Sequence, residues 1–449
     1  MATRSPLDPA SPFALGDFDS ALSRRIVDVH VWAMREGLRG AGATDLFDGY
    51  CQILVAHGTP LWRAHAAMET LHPQWRGYGV TWRRDLNAIA PESYAHGGDD
   101  DPEWVHSPFA ALIARAQGGE FNPTLRRRIS AGPEQRDFPV LQEFFAAGAT
   151  DYAAYLFMYG EPPAAGQALG DRSQGSGVVY SFATDAAPGF ADEDLALMQS
   201  TLPALSLAMK AHAGHTIASG LLRAYLGWDA GGRVHAGDVT RGSMSRLTAA
   251  ILFADIRGFT PLSDSAPGAA VIDFLNDVFE ALAAPLRERG GQVLKFIGDA
   301  MLATFSFEES ERAATCGRAL DAAIEARANL DALNRIRAEA GEPAAQVDFA
   351  LHVGEVLYGN VGAADRLDFT AIGPAINEVV RIEALCQPLG QTILVSPEFA
   401  AVVRQDGRPL ASLGPHALRG VRTPKELFAL EIEPAPAGPG DVTGDAQAS

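Results

Sequence analysis

Apolar positions recur in two different rhythms along this chain, and each rhythm predicts its own elements. Near the N-terminus Ile26, Val29, Trp32 and Ala33 return at helical spacing, and 46–56 continues in that style. Strand-like runs follow: PLWRAHAAM, GYGVTW, YAAYLFMYG and GVVYSFAT. A helix is then predicted over 191–212, with Leu195, Met198, Leu202, Leu205 and Met209 in one stripe and Pro203 expected to bend it. The stretch 214–245 mixes a short amphipathic helix with several glycines and reads as a connector.

Past the connector, 246–433 predicts a strand over 248–254 and then a helix over 269–287. That helix carries Val271, Phe274, Leu275, Val278, Phe279 and Leu282 on one face. A hairpin follows in which QVLKFIG turns at Gly298 and Asp299 into AMLATF. A second long helix covers 310–340, two strands read VDFALHVGEVLYGNVG and RLDFTAIG, and a further helix starts at Pro374, where a first-turn proline fits. This order predicts an α+β sandwich with helices on one face of a mainly antiparallel sheet. The ends, 1–20 and 434–449, are Pro- and Ala-rich and are expected to be loose.

The length of 449 residues allows two or three domains. A net charge of −19 opposes nucleic acid or an anionic membrane as the main partner, because both repel an acidic body. With no long apolar run and no basic-then-apolar leader, a cytoplasmic protein is expected. The three cysteines, Cys51, Cys316 and Cys386, lack metal-ligand spacing and read as reduced thiols. Only three of 36 basic residues are lysines: Lys210, Lys295 and Lys425.

The run AILFADIRGFT, 250–260, ends an apolar strand in Asp255 and breaks at once into a turn. A carboxylate at a sheet rim, followed by amides of Ile256, Gly258, Phe259 and Thr260 that can face an anion, suits a metal-bound polyphosphate. Asp299 at the hairpin tip offers a second hard oxygen ligand. Taken singly, Asp299 reads first as a residue that favours its turn and Asp255 as a cap of the next helix. Asn377 and Arg381 lie four apart on one helix face and can orient a ribose and stabilise charge on a phosphate, or they are a solvated amide and an ion-paired guanidinium.

Together these residues resemble the catalytic domain of class III nucleotidyl cyclases. FADIRGFT, LKFIGDAMLATF, ALHVGEVLYGNVG, LDFTAIGPAINEVVRIEAL and LRGVRTPKELFAL come in that family's order and spacing over 246–433. The resemblance implies a ferredoxin-like domain working as a head-to-tail homodimer, with each site built from both chains. It implies that Asp255 and Asp299 bind two Mg²⁺, replaceable by Mn²⁺, with help from the Ile256 carbonyl. Lys295 and Thr370 would read the base, Asn377 would position the ribose, Arg381 would stabilise the transition state, and Arg419 or Arg422 would hold the terminal phosphates.

The implied product is a cyclic 3′,5′-monophosphate made from ATP. Lys295 suits the acceptor N1 of adenine, whereas guanine selection in the family uses a glutamate there. Thr370 stands where many members have Asp, which resembles an adenylate cyclase subgroup with some bicarbonate-responsive members. Asp348 stands where many relatives carry an arginine. The alternatives are a guanylate cyclase and a silent nucleotide-binding module; a diguanylate cyclase is disfavoured because Gly290 and Gly291 are followed by Gln292 and Val293. The N-terminal part, 21–213, resembles a GAF-type α/β sensor, and its five tryptophans, Trp32, Trp62, Trp75, Trp82 and Trp104, are candidates for a ligand pocket. In this reading it acts through 214–245 to regulate the catalytic domain, with a small molecule or bicarbonate as possible input.

Overall fold

A computed structural model of the chain describes residues 20–86, 88–97, 101–159 and 177–430. Of the expected loose ends, 1–20 and 434–449, all but Ser20 lie outside the described residues. The chain divides into two compact units, Met1–Leu221 and Leu222–Ser449.

The first unit contains α1 (Ala21–Leu38), α2 (Ala43–Ala56), β1 (Arg63–Glu69), β2 (Trp75–Arg83) and β3 (Ala88–Ala95), then α3 (Pro102–Val105), α4 (Pro108–Gln117) and β4 (Thr124–Arg127). It continues with α5 (Pro139–Ala146), β5 (Asp151–Met158), β6 (Gly177–Thr184) and α6 (Asp192–Leu226). The six strands form one antiparallel sheet in the order β3-β2-β1-β6-β5-β4. Because strand side chains alternate, Ala64, Ala66, Tyr155, Phe157, Tyr180 and Phe182 meet α1, α2 and the first turns of α6 on one face. Ala154, Leu156 and Val179 face Leu112 of α4 and Leu141 of α5 on the other. Pro203 is accommodated inside α6, which runs on to Leu226, beyond the expected end at 212. The first 13 residues of the expected connector, 214–226, are therefore helix.

The second unit holds α7 (Trp228–His235), β7 (Met244–Ile256), α8 (Phe259–Ser265), α9 (Gly268–Glu288), β8 (Gln292–Ile297), β9 (Ala300–Ser306) and α10 (Arg312–Glu339). After these come β10 (Val347–Gly362), β11 (Leu367–Ile372), α11 (Pro374–Glu383), β12 (Ile393–Val395), α12 (Pro397–Val403), β13 (Leu410–His416) and β14 (Lys425–Leu430). The eight-stranded sheet runs β13-β14-β12-β10-β7-β9-β8, with β11 paired to β10, and among the described residues only β10 and β12 pair in parallel.

Helices cover both faces of this sheet, not one as the sequence pattern predicts. Ala250, Leu252, Ala254 and Ile256 of β7 pack with α9, α10 and α12. Ala249, Ile251 and Phe253 pack with Ala230 of α7 and with Ala375, Val379 and Ile382 of α11. The unbroken apolar run in β7 is what a strand buried on both faces requires. Part of the expected connector thus belongs to the core of this unit, through Ala230. Helix α6 ends at Gly227, whose φ of 87° is left-handed.

Helix α11 is seated tightly. A Cβ placed on Gly354 would lie 2.5 Å from the Ala375 Cβ, so β10 needs glycine for the helix to approach. Val379 and Ile382 are fully buried beneath it, each contributing about 1.5–3 kcal/mol. This seat sets where the polar residues of α11 sit.

Candidate active site

Sheet parity decides which residues meet. Asp255 follows Ala249, Ile251 and Phe253 on the α11 face of β7, and Asp348 of β10 is its cross-strand partner in register. Asp299 occupies the two-residue turn between β8 and β9, after Gly298 with its left-handed φ of 65°. The three carboxylates converge at one end of the sheet. Burial raises the Asp255 pKa, and Asp299 and then Asp348 push the same way against the Ile256 N–H that donates to it.

A fourth carboxylate, Glu383 at the end of α11, joins this group. Burial first, and then Asp255 and Asp348, push its pKa up to about 7, with Asp299 adding and Arg257 opposing. Arg257, in the turn after β7, neutralises part of the cluster. Its Nε donates to Asp348 at 2.6 Å, its guanidinium also donates to the second Asp348 oxygen, and it reaches the Gln391 carbonyl at 2.8 Å. Asp348 therefore serves as the buried anchor for the turn that carries Gly258, Phe259 and Thr260. Gly258 makes that turn with φ 67° and caps α8.

The remaining expected residues form two other groups. Lys295 of β8 makes an ion pair with Asp368 of β11. Asp368 lies two residues before Thr370 on the same side of β11, alternating with buried Phe369 and Ala371. Asn377 and Arg381 share one side of α11, and the Arg381 guanidinium lies against Gly420, in the loop that also bears exposed Arg419 and Arg422. Glu383, two residues beyond Arg381, is about 200° round the helix. One helix thus presents a cationic side and, opposite it, a carboxylate to the Asp255 cluster. In one chain the carboxylates and the Asn377–Arg381 pair form separate groups.

Sequence reasoning missed Glu383, Asp368 and the role of Arg257. Glu383 was discoverable, because the same helical spacing that pairs Asn377 with Arg381 places residue 383 on the packed side. A different cluster, His352, Glu378 and Glu398, has metal-like composition. Lys425 already donates to Glu378 and, at 2.6 Å, to Glu398, tying β14 to α11 and α12.

Converging hard oxygen donors, whose repulsion adds to burial in raising the pKa of Asp255 and Glu383, fit a divalent cation, since bound positive charge would relieve that repulsion. Residues 243–431 match the family model of the adenylate and guanylate cyclase catalytic domain, and this part of the chain belongs to that class III cyclase family. The adenylate cyclase of Anabaena cylindrica is 37% identical over 163 residues, 35% of this chain and 31% of that protein. Adenylate cyclase 1 of Rhizobium meliloti is 27% identical over 184 residues, 39% of this chain and 26% of that protein. The crystal structure of the adenylyl cyclase CyaB from P. aeruginosa is 24% identical and corresponds to 43% of this chain and 97% of that one, with a TM-score of 0.39. The chain spans between about a quarter and a third of the length of these two curated relatives. Among the described residues, no helix is long and apolar enough to cross a membrane.

Proposed function

We propose that the chain is an adenylate cyclase, converting ATP to 3′,5′-cyclic AMP and pyrophosphate. The observation that carries this reading is the convergence of Asp255 and Asp299 at one sheet end, within a segment matched by the cyclase family. The ribose 3′-oxygen attacks the α-phosphorus, the bond to the bridging oxygen of pyrophosphate breaks, and the 3′-hydroxyl proton leaves to solvent. Asp255, Asp299 and the Ile256 carbonyl would hold two Mg²⁺, which when bound supply Lewis-acid polarisation of hydroxyl and phosphate oxygens. Asn377 orients the ribose, and Arg381 supplies guanidinium donors to the charge that develops on the phosphate. Arg419 or Arg422 holds the terminal phosphates, and the amides of Gly258, Phe259 and Thr260 line the polyphosphate.

Lys295 and Thr370 read the base. An ammonium beside hydroxyl and carboxylate acceptors complements adenine, whose N1 accepts and whose 6-amino group donates. The separation of the carboxylates from Asn377 and Arg381 within one chain supports a homodimer in which each chain completes the other's site. Exposed Phe296, Ile297, Ile372 and Val380, near these groups in sequence, give such a dimer apolar surface to cover. In this reading the N-terminal unit regulates turnover.

The test is product chromatography with the purified chain, Mg²⁺ or Mn²⁺, and ATP or GTP, beside Asp299→Ala. Cyclic AMP that vanishes in the variant supports the reading. Cyclic GMP alone would make it a guanylate cyclase, and nucleotide binding without product would make it a silent module.

A further inference from the structure

The N-terminal unit holds an open-mouthed cavity of about 850 Å³, within the range of small-ligand pockets. It lies between the second face of the six-stranded sheet and the cover formed by α3, α4 and α5. Phe109, Ile113, Phe144, Leu156, Met158 and Val179 give it apolar walls. Of the five tryptophans considered as pocket residues, only Trp104 is among the described lining residues. Trp62 and Trp82 are core.

One wall is polar, and strand alternation explains why. Ala64 and Ala66 of β1 point into the helix-covered core, so Arg63, His65 and Ala67 face the cavity. His65 is buried, holds Thr81 Oγ1 at 2.8 Å through Nδ1 and stacks on Phe109 with centroids 5.8 Å apart. Arg63 donates to Thr81 only at 3.5 Å and lies over the Phe144 ring at 5.0 Å. Glu92, the nearby carboxylate, is already engaged, accepting from Thr81 at 2.7 Å and from Tyr94 at 2.9 Å. The lining carboxylates themselves, Glu69, Asp101, Glu103 and Glu143, are exposed. Arg63 is therefore a half-buried cation facing an aromatic-walled space, with no carboxylate in ion-pair contact among the described residues.

A half-buried cation with no carboxylate in contact is incompletely compensated, and the most direct compensation is an anion delivered by a ligand. We infer that this cavity binds a small aromatic organic anion, its carboxylate or sulfonate on Arg63 and its rings between Phe109 and Phe144. A second lining cation, Arg76, lies over the Trp104 ring at 5.1 Å, so Arg63 is the cation that shares the wall with Phe109 and Phe144. The inference stands independently of the cyclase reading.

The test uses two fluorescent probes with the same ring system on the full-length chain. 1-Anilinonaphthalene-8-sulfonate carries the anion and N-phenyl-1-naphthylamine lacks it. Saturable one-to-one binding of the sulfonate is expected, weakened at least ~10-fold by Arg63→Gln, as the loss of a charge-assisted hydrogen bond predicts. The neutral probe should change less than about threefold, while Val179→Trp, which fills the cavity, should weaken both. Arg63→Lys should keep part of the preference, and unliganded Arg63→Gln should melt no lower than wild type, which separates lost binding from lost fold. Equal effects of Arg63→Gln on both probes, or no saturable binding of the sulfonate to the wild type, would overturn the inference.

Discussion

Removing the Arg257 side chain should expose how the carboxylate end of the second unit is held together. The Asp348 side chain is only 3% exposed and that of Arg257 26% exposed, and the two share a bidentate pair. Arg257→Met leaves Asp348 buried, unpaired and beside Asp255 and Glu383. Breaking a buried pair from one side costs about 3–5 kcal/mol, and the partial exposure of Arg257 places this case near 3. Asp348→Leu costs less, about 1–2 kcal/mol, because the guanidinium can turn to water and keep its bond to Gln391. The double variant removes both charges together and should recover to within about 1 kcal/mol of wild type, a coupling of at least about 2 kcal/mol. The assay is urea unfolding of the full chain and its three variants, read by pulsed hydrogen exchange in peptides spanning β7 and β10. With a urea slope of about 2–3 kcal/mol per molar, Arg257→Met should shift the midpoint down by roughly 1 M or more. If the two single effects simply add in the double variant, to within about 0.5 kcal/mol, the ion pair does not hold this turn and the argument fails.

Asp255→Asn and Asp299→Asn should each cut cyclic-nucleotide formation at least ~100-fold while the melting temperature holds or rises, because each removes one of two mutually repelling carboxylates; a large drop in melting temperature would instead assign them a structural role. Gly354→Val should cost about 1–3 kcal/mol in urea unfolding and reduce turnover in parallel, since the new side chain meets Ala375 and lifts α11; unchanged stability would refute the tight seat. Lys295→Ala should lower kcat/KM for ATP by about 10- to 100-fold, and Asp368→Asn should alter the ATP-to-GTP ratio more than it alters metal dependence. His65 is held neutral, its pKa lowered to about 4 by burial and then by Arg63, against Glu92. In the unfolded chain it protonates near 6.5, so between these values the unfolded state binds more protons and stability falls as pH falls. At about 1.4 kcal/mol per pH unit the loss approaches ~3 kcal/mol by pH 4. His65→Gln should flatten that part of the pH–stability curve, and an identical curve in the variant would rule the titration out.

Elements with one strong period were legible in the sequence. The stripe from Val271 to Leu282 is α9, Pro374 opens α11, and the Gly298–Asp299 turn joins β8 to β9, because each depends on neighbours within a few residues. The apolar run of β7 was legible as a strand, and its lack of alternation already implied that both faces are covered. The helices-on-one-face expectation overlooked that implication. Where α6 ends was less legible, because a glycine-rich stretch does not reveal whether Ala230 finds a core to enter. The order of motifs along 246–433 was enough to identify the cyclase domain, since motif order is a one-dimensional property.

What only the tertiary structure decided are pairings between residues far apart in the chain. Lys295 pairs with Asp368 and not with a residue near 295, Arg257 is clamped by Asp348, and Glu383 is brought to Asp255 by the seat of α11 on β10. The open charge of Arg63 follows from the register of β1 between β2 and β6 and from the space left beneath α4 and α5. A sequence sets local preference and the side of an element on which each residue lies. Which charge meets which, and which is left facing a cavity, depends on register and packing, where shifting a strand by one residue would turn every side chain to the other face.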